Sequence, residues 1–374
     1  MQTKTKSKIA SVIYVLFAIV FIGVRITNIQ PLVGNFLTAL IGLLALGYYF
    51  LKKGLNKINL YIVLLGAVLT IGMMFAISYN GNADFLDLLW IWSYIGIAVL
   101  IYEFNISKKI FWGVAYIFLL VVLVFMFQGN AASEFLKVGS ENNISAYTIF
   151  FVLLGYLAED NNKGMRYIPA FLTLAISLWT GSRAGILSAG VLIGCIFINN
   201  LFVVKKRRFS TFIKISFFVF AGLWAANHFF GDYMLQFFEK INRYGNTSVR
   251  TEIWLEYIRG VFGSFGNFLF GVNMTGANYP LLNYYSGNIH NSFLMVHAKY
   301  GIIGALTVFM FMGRSTWKAL RCKNALLVIV ILVASVRMFF DWIAFPGLYD
   351  VIFWLLVIYA IDKGNKNEKC DEKA

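Results

Sequence analysis

The sequence predicts a polytopic α-helical membrane protein, an all-α bundle, and three observations carry that prediction. Hydrophobic residues make up 60% of the 374 positions and charged residues only 13%, about half the charge of an ordinary soluble domain. The apolar residues fall in blocks of roughly twenty, the length a helix needs to cross a ~30 Å hydrocarbon core. The connections between blocks alternate between strongly basic and weakly charged, the signature of a chain threaded repeatedly through a membrane. Barrel strands would alternate over ~10 residues, and no such pattern occurs.

The candidate spans, in order, are 9–28, 31–51, 58–79, 86–104, 109–127, 143–158, 167–181, 185–203, 211–230, 291–312, 325–343 and 347–361, about twelve in all. The first follows a basic segment (Lys4, Lys6, Lys8) with no small-residue cleavage site after it, which predicts a retained span rather than a signal peptide. Alternate connections read TKTKSK, KKGLNK, SKK, EDNNKGMR, KKRR, GRSTWKALRCKN and DKGNKNEKCDEK, and they hold 22 of the 32 Lys and Arg. The positive-inside bias therefore places both termini in the cytoplasm and the remaining connections outside. Most of the net charge of +15 is topogenic on this account, so no nucleic-acid partner is expected. Cys195, Cys322 and Cys370 are far apart and give neither metal-ligand spacing nor an expected disulfide.

No internal repeat relates the two halves, which counts against a transporter built from symmetric repeats. The asymmetric feature is a long outer connection, 231–290. Within it, Ser248 to Arg259 reads as a short amphipathic helix: a Ser248 cap, Thr251 and Glu252 in the first turn, and Ile253, Trp254, Tyr257 and Ile258 at helical spacing. Residues 260–288 are rich in Gly, Asn and Tyr, a loop composition.

Ten basic residues lie outside the cytoplasmic connections. Lys214 and Lys137 have ordinary surface positions. Arg25 and Arg337 fall near the outer ends of spans one and eleven, where snorkelling to the interface competes with a functional role. Lys299 falls inside span ten. Lys240, Arg243, Arg250 and Arg259 belong to the long loop. Arg183 stands between two glycines in the turn Gly181-Ser182-Arg183-Ala184-Gly185, where little bulk shields it and the backbone can come close to a ligand. Arginines gathered on one face suit a phosphate-bearing substrate, because the guanidinium fork matches phosphate oxygens. Of the three histidines, His228, His290 and His297, His290 stands at the mouth of span ten beside Asn291, where a neutral imidazole could accept a proton. Gly301 and Gly304 read as close helix packing.

The TGSRAG turn, Arg250-x3-Trp254 in the outer loop, and His290-Asn291 followed by nine residues and Gly301-x-x-Gly304 together resemble the O-antigen polymerase and O-antigen ligase superfamily. The matching stretch, Thr180 to Gly304, is about a third of the chain; the rest agrees in topology alone. The resemblance implies a GT-C-like membrane glycosyltransferase of the bacterial inner membrane. Its donor would be a glycan on undecaprenyl diphosphate, used at the periplasmic face. It also implies Arg183 and Arg250 as donor-diphosphate ligands and His290 as the group that activates the acceptor hydroxyl. Arg243, Arg259, Arg25, Arg337 and Asn291 are further candidates, and Asp341, Glu252 and Glu256 are the nearby acids. No metal, cofactor or nucleotide sugar is implied; a chain-length regulator protein is a possible partner. A polymerase adds the glycan to another lipid-linked repeat unit, a ligase to lipid A core, and polymerase is favoured. A flippase or transporter is the reading from another class, and a non-catalytic scaffold would leave Arg183 and His290 without a role.

Overall fold

A computed structural model describes residues 2–54, 57–159, 164–203 and 249–362. Every regular element among them is a helix. Seven helices are long and apolar enough to cross a membrane: α1 (Gln2–Ile26, apolar from Ser7), α2 (Pro31–Lys53), α3 (Lys57–Asn80), α4 (Phe85–Glu103), α5 (Lys108–Phe127), α9 (Arg183–Val203) and α13 (Ser292–Arg321). Shorter helices are α6 (Ala132–Phe135), α7 (Glu141–Leu157), α8 (Ile168–Trp179), α10 (Val249–Val261), α11 (Phe265–Phe270), α12 (Pro280–Tyr284), α14 (Ala325–Phe339) and α15 (Asp350–Ile361). The chain is built as a helical membrane protein. The expected span 211–230, with His228, Lys240 and Arg243, lies outside the described residues.

The helices sort by which faces are apolar. α4, α7 and α15 are buried nearly all round: Trp90–Leu100 is almost wholly enclosed, as are Ile144–Tyr156 (except Tyr147) and Asp350–Ala360. A helix apolar on every side belongs in the centre of a bundle, and α4 packs there against α2 and α15. The crossing of α2 and α4 is close because Gly42 and Gly96 face each other; a Cβ on Gly96 would collide with the Gly42 carbonyl, the small-residue contact expected between membrane helices. The outer helices expose large apolar side chains instead, among them Ile19, Leu32, Leu44, Ile117 and Leu306, each 60% or more accessible. A soluble protein seldom shows so continuous an apolar coat; hydrocarbon accepts it.

Helix length then decides where the connections sit. α8 and α15 have 12 residues each, so each rises only ~18 Å, well short of the ~30 Å core. The turn after α8 and the largely buried segment Phe340–Tyr349 before α15 lie at the end remote from the N-terminus, here called the distal end. Irregular backbone at such depth must be enclosed by protein or line a wet cavity, and this segment is stitched accordingly. Ser292 Oγ donates to the Asp341 carbonyl at 2.7 Å and accepts from the amides of Ile343 and Ala344. The Asp350 carboxylate accepts from the amides of Phe345 and Gly347.

Two sequence expectations change. α13 runs to Arg321, so most of the connection expected from Gly313 onward is helix, and α13 is broken at Gly301 (φ 67°). A Cβ at Gly301 would strike the Leu269 carbonyl of α11; the glycine admits another backbone at a helix break rather than a neighbouring helix along its face. Asn80 and Asn82 fasten the same place, both donating to the Ala298 carbonyl, with second bonds to Phe270 and Val272. The long connection is thus wedged into the bundle. It carries a small core of its own, with Ile253, Tyr257, Val272, Leu282 and Ile289 packed on Met295 and Ala298 of α13. Cys195 is a free thiol.

Candidate functional site

Three segments deliver charged side chains to the distal end. The first is the turn between α8 and α9. Gly181 takes φ 60°, in the left-handed region that favours glycine. Ser182 then caps α9, its Oγ accepting from the Gly185 amide at 3.2 Å. Gly185 is a glycine because a Cβ would press on the hydroxyls of Ser145 and Ser177. Arg183, between them, is the first residue of α9, exposed, and makes no hydrogen bond or ion pair among the described residues. A cation there opposes the helix dipole, so stability does not explain its place.

The second segment is α10. Ile253 and Tyr257 are buried and Trp254 is half-buried, its indole N–H donating to the Ile289 carbonyl at 2.8 Å and its ring meeting Phe339 edge-on. Ile258 is exposed despite its helical spacing. This packing lays the first turn of α10 over the end of α14, where Arg250 Nη1 donates to the Phe340 carbonyl at 2.5 Å. Its remaining donors make no hydrogen bond among the described residues. The Arg250 pKa is lowered, first by burial and then by the like charges of Arg337 and Arg183, with Asp341 opposing. The bond to Phe340 sets Arg250 one residue along the chain from Asp341.

The third segment is the start of α13. His290 adopts φ 53°, its amide donating to Asn288 Oδ1, and its ring lies edge-on to Tyr285. Asn291 caps α13, its Oδ1 accepting from the amides of Phe293 and Leu294; that oxygen is spent on the helix and its side chain is buried. His290 Nδ1 faces Asp341 Oδ1 at 3.7 Å, an ion-pair separation too long for a hydrogen bond, and Nδ1 is otherwise without a partner.

Asp341 joins these segments. Its Oδ2 accepts from Arg337 Nη1 at 3.2 Å and its Oδ1 from the Trp342 amide at 3.0 Å. His290 faces the same carboxylate at 3.7 Å, and Arg250 is bonded to the carbonyl of the preceding residue, Phe340. Arg337 is fully buried, with Nη2 donating to the Asn142 carbonyl at 3.0 Å. It does not snorkel. It stands behind Asp341 as a support, with no edge open to a ligand.

The other candidates lie elsewhere. Arg259 is exposed on a groove of α10 with Glu252 and Glu256, and Glu256 caps α12 by accepting from the amides of Leu281 and Leu282. Arg25 stacks on Phe21 at 3.5 Å and donates to Tyr147 Oη and the Phe21 carbonyl, beside a separate cavity. His297 is held by Tyr257 Oη and the Phe268 carbonyl, a satisfied structural histidine. Lys299 is buried and paired with Asp87 at 2.6 Å. Sequence reasoning did not find that partner, 212 residues away; the only signal was an acid in the first turn of α4.

Compared with known proteins, the chain matches no family model, no curated protein and no solved structure.

Proposed function

We propose that this chain is a surface-polysaccharide polymerase: a twelve-span, GT-C-like glycosyltransferase of the bacterial inner membrane with both termini in the cytoplasm and its site facing the periplasm. It would take a glycan from undecaprenyl diphosphate and pass it to a hydroxyl of another lipid-linked repeat unit. One observation carries the reading. Asp341 pairs with the buried Arg337, while Arg250 is held on the adjacent Phe340 carbonyl with no carboxylate bonded to it among the described residues. Arg183 stands exposed and unpartnered among the described residues at the start of α9, and His290 Nδ1 faces the carboxylate at 3.7 Å without a hydrogen bond. Unbalanced cations at membrane depth are costly, and a diphosphate is an anion of the matching charge and geometry.

The chemistry follows from the placement. The acceptor hydroxyl oxygen bonds to the anomeric carbon as the bond from that carbon to the diphosphate oxygen breaks. Charge grows on the departing diphosphate, and Arg183 and Arg250 stabilise it where it develops. The proton of the acceptor hydroxyl passes to His290. Asp341 holds the imidazole side of the site and Arg337 holds Asp341. The reaction asks for no metal or cofactor, because guanidinium groups carry the charge a metal would supply.

Arg183→Ala, Arg250→Ala and His290→Ala, each in cells lacking the native gene, should cut transfer on the order of a hundredfold. Long polysaccharide should vanish from gels while the protein stays inserted. Wild-type polymer lengths in all three variants would sink the proposal. The deletion strain separates the two acceptors: a missing polymerase leaves core bearing one repeat unit, a missing ligase leaves bare core and accumulated lipid-linked polymer.

A further inference from the structure

A second polar cavity lies beside the arginine cluster, and none of the residues assigned above as donor ligands or base opens into it. It has a volume of about 170 Å³ and is lined by Arg25, Asn35, Asp87, Tyr94, Asn143 and Trp342, among others. At ~30 Å³ per water this is room for several waters or one small polar ring. Its walls combine aromatic faces (Trp90, Tyr94, Tyr147, Trp342) with hydrogen-bonding groups. Several of those groups are unused: the Asn35 and Asn143 amides and Tyr94 Oη make no side-chain hydrogen bond among the described residues, and Trp342 Nε1 is buried without a partner. Buried polar groups are normally satisfied within the protein. Here Trp342 Nε1 is enclosed without a partner, and the half-buried Asn35 and Asn143 amides and the Tyr94 Oη line the same space.

The cavity shares two backbone partitions with the cluster. Asp341 belongs to the cluster and Trp342, the next residue, lines the cavity. Asn142 gives its carbonyl to Arg337, and Asn143, the next residue, lines the cavity. The charges in the cavity wall are already engaged: Asp87 binds Lys299 at 2.6 Å, with the Lys299 ammonium over the Trp342 ring at 4.8 Å, and Arg25 lies on Phe21. Apart from Arg25, which meets aromatic, hydroxyl and carbonyl groups, the open groups are neutral, and a ligand that uses them is many-hydroxylated and flat enough to meet an aromatic face, which is the chemistry of a sugar ring.

We propose that this cavity is a saccharide subsite that seats the acceptor sugar next to the diphosphate cluster. The assignment to the acceptor rests on the polymerase reading above; the assignment to a neutral saccharide rests on the cavity alone. The test uses the purified full chain in nanodiscs and two probes: inorganic diphosphate, and the phosphate-free repeat-unit oligosaccharide released by mild acid from the expressing strain's lipid carrier. The Asn35→Ala/Tyr94→Phe double variant removes two open polar groups and fills nothing. Its saccharide affinity should fall on the order of tenfold, with diphosphate affinity unchanged, and Arg250→Ala should show the reverse. Trp342→Phe, which keeps an aromatic face and deletes only the free N–H side, should weaken saccharide binding by a smaller factor.

Equal saccharide binding by the wild type and the double variant would overturn the inference. So would absence of saccharide binding in a protein that still binds diphosphate through Arg250, and that result would leave the polymerase reading standing. Saccharide binding lost in the double variant, in a protein that binds no diphosphate, would support the subsite and sink the donor assignment instead. Water alone in the cavity predicts no saccharide-dependent change in any variant, which also overturns it.

Discussion

Two charged sites lie close together at the distal end, and they are balanced differently. At one, Lys299 and Asp87 form a one-to-one pair at 2.6 Å, both largely enclosed, with the ammonium also over Trp342. At the other, Asp341 faces Arg337, Arg250 and His290, with Arg183 near enough to disfavour the charge on Arg250. The first site is closed: each charge has its counter-charge and nothing is left over. The second has more cation than the protein neutralises, and two of its arginines have donors that make no hydrogen bond among the described residues. A buried pair is what a helix bundle needs to tolerate a charge at depth. An excess of unpaired cation is what it avoids unless something else supplies the anion. That contrast, more than any single residue, separates structural charge from functional charge here.

The largest effect that would sharpen the comparison is on stability at the balanced site. Lys299→Met leaves Asp87 without its cation, and unpairing a buried charge costs about 3–5 kcal/mol. Thermal unfolding in detergent should show the loss, and Asp87→Asn added to Lys299→Met should recover most of it. If the single variant unfolds like the wild type, the pair is not the closed structural site described.

Asp341→Asn tests the unbalanced site, and because it leaves the buried Arg337 without its carboxylate a stability loss comparable to that of Lys299→Met should accompany its effect on transfer. The amide cannot oppose the arginines, so the site gains one net positive charge. Diphosphate binding should hold or tighten while transfer falls on the order of tenfold, because the imidazole loses its carboxylate neighbour. A variant that also loses diphosphate binding would mean the carboxylate positions Arg250 more than His290.

How much of this was readable in the residues depends on the range of each signal. Hydrophobic blocks and alternating charge are local patterns, so the membrane helices stood out, as did the glycine-flanked Arg183. The break in α13 did not, because Gly301-x-x-Gly304 fits close helix packing as well as it fits a kink. Asp341 stood out only as one of three nearby acids, with nothing to set it above Glu252 and Glu256. The apolar run continues through Phe339, Phe340, Trp342 and Ile343, so the end of α14 was hidden inside an expected span. Asn291 looked like a site residue because it adjoins His290, yet its side chain is a helix cap. Lys299 could not be assigned at all: its partner comes from α4, and no spacing rule links the two. Contacts between distant helices are where sequence pattern stops and packing begins.

The smallest expected effect falls on Arg259, and it is informative because Arg259 shares a helix with Arg250. Nine residues at ~100° each put the two arginines on opposite faces of α10. The face of Arg250 is laid on Phe340 and the Asp341 cluster, whereas that of Arg259 opens on a groove with Glu252 and Glu256. Sequence proximity made them interchangeable; the helix period does not. Exposed, and with carboxylates already near, Arg259 supplies little that a ligand at Asp341 could feel through screened solvent. Arg259→Ala should leave both polymer length and diphosphate affinity within about twofold of the wild type, against the large loss expected for Arg250→Ala. Equal losses in the two variants would mean that α10 acts as a basic surface rather than through one positioned guanidinium. The distinction between paired and unpaired cations would then have to be abandoned for this loop.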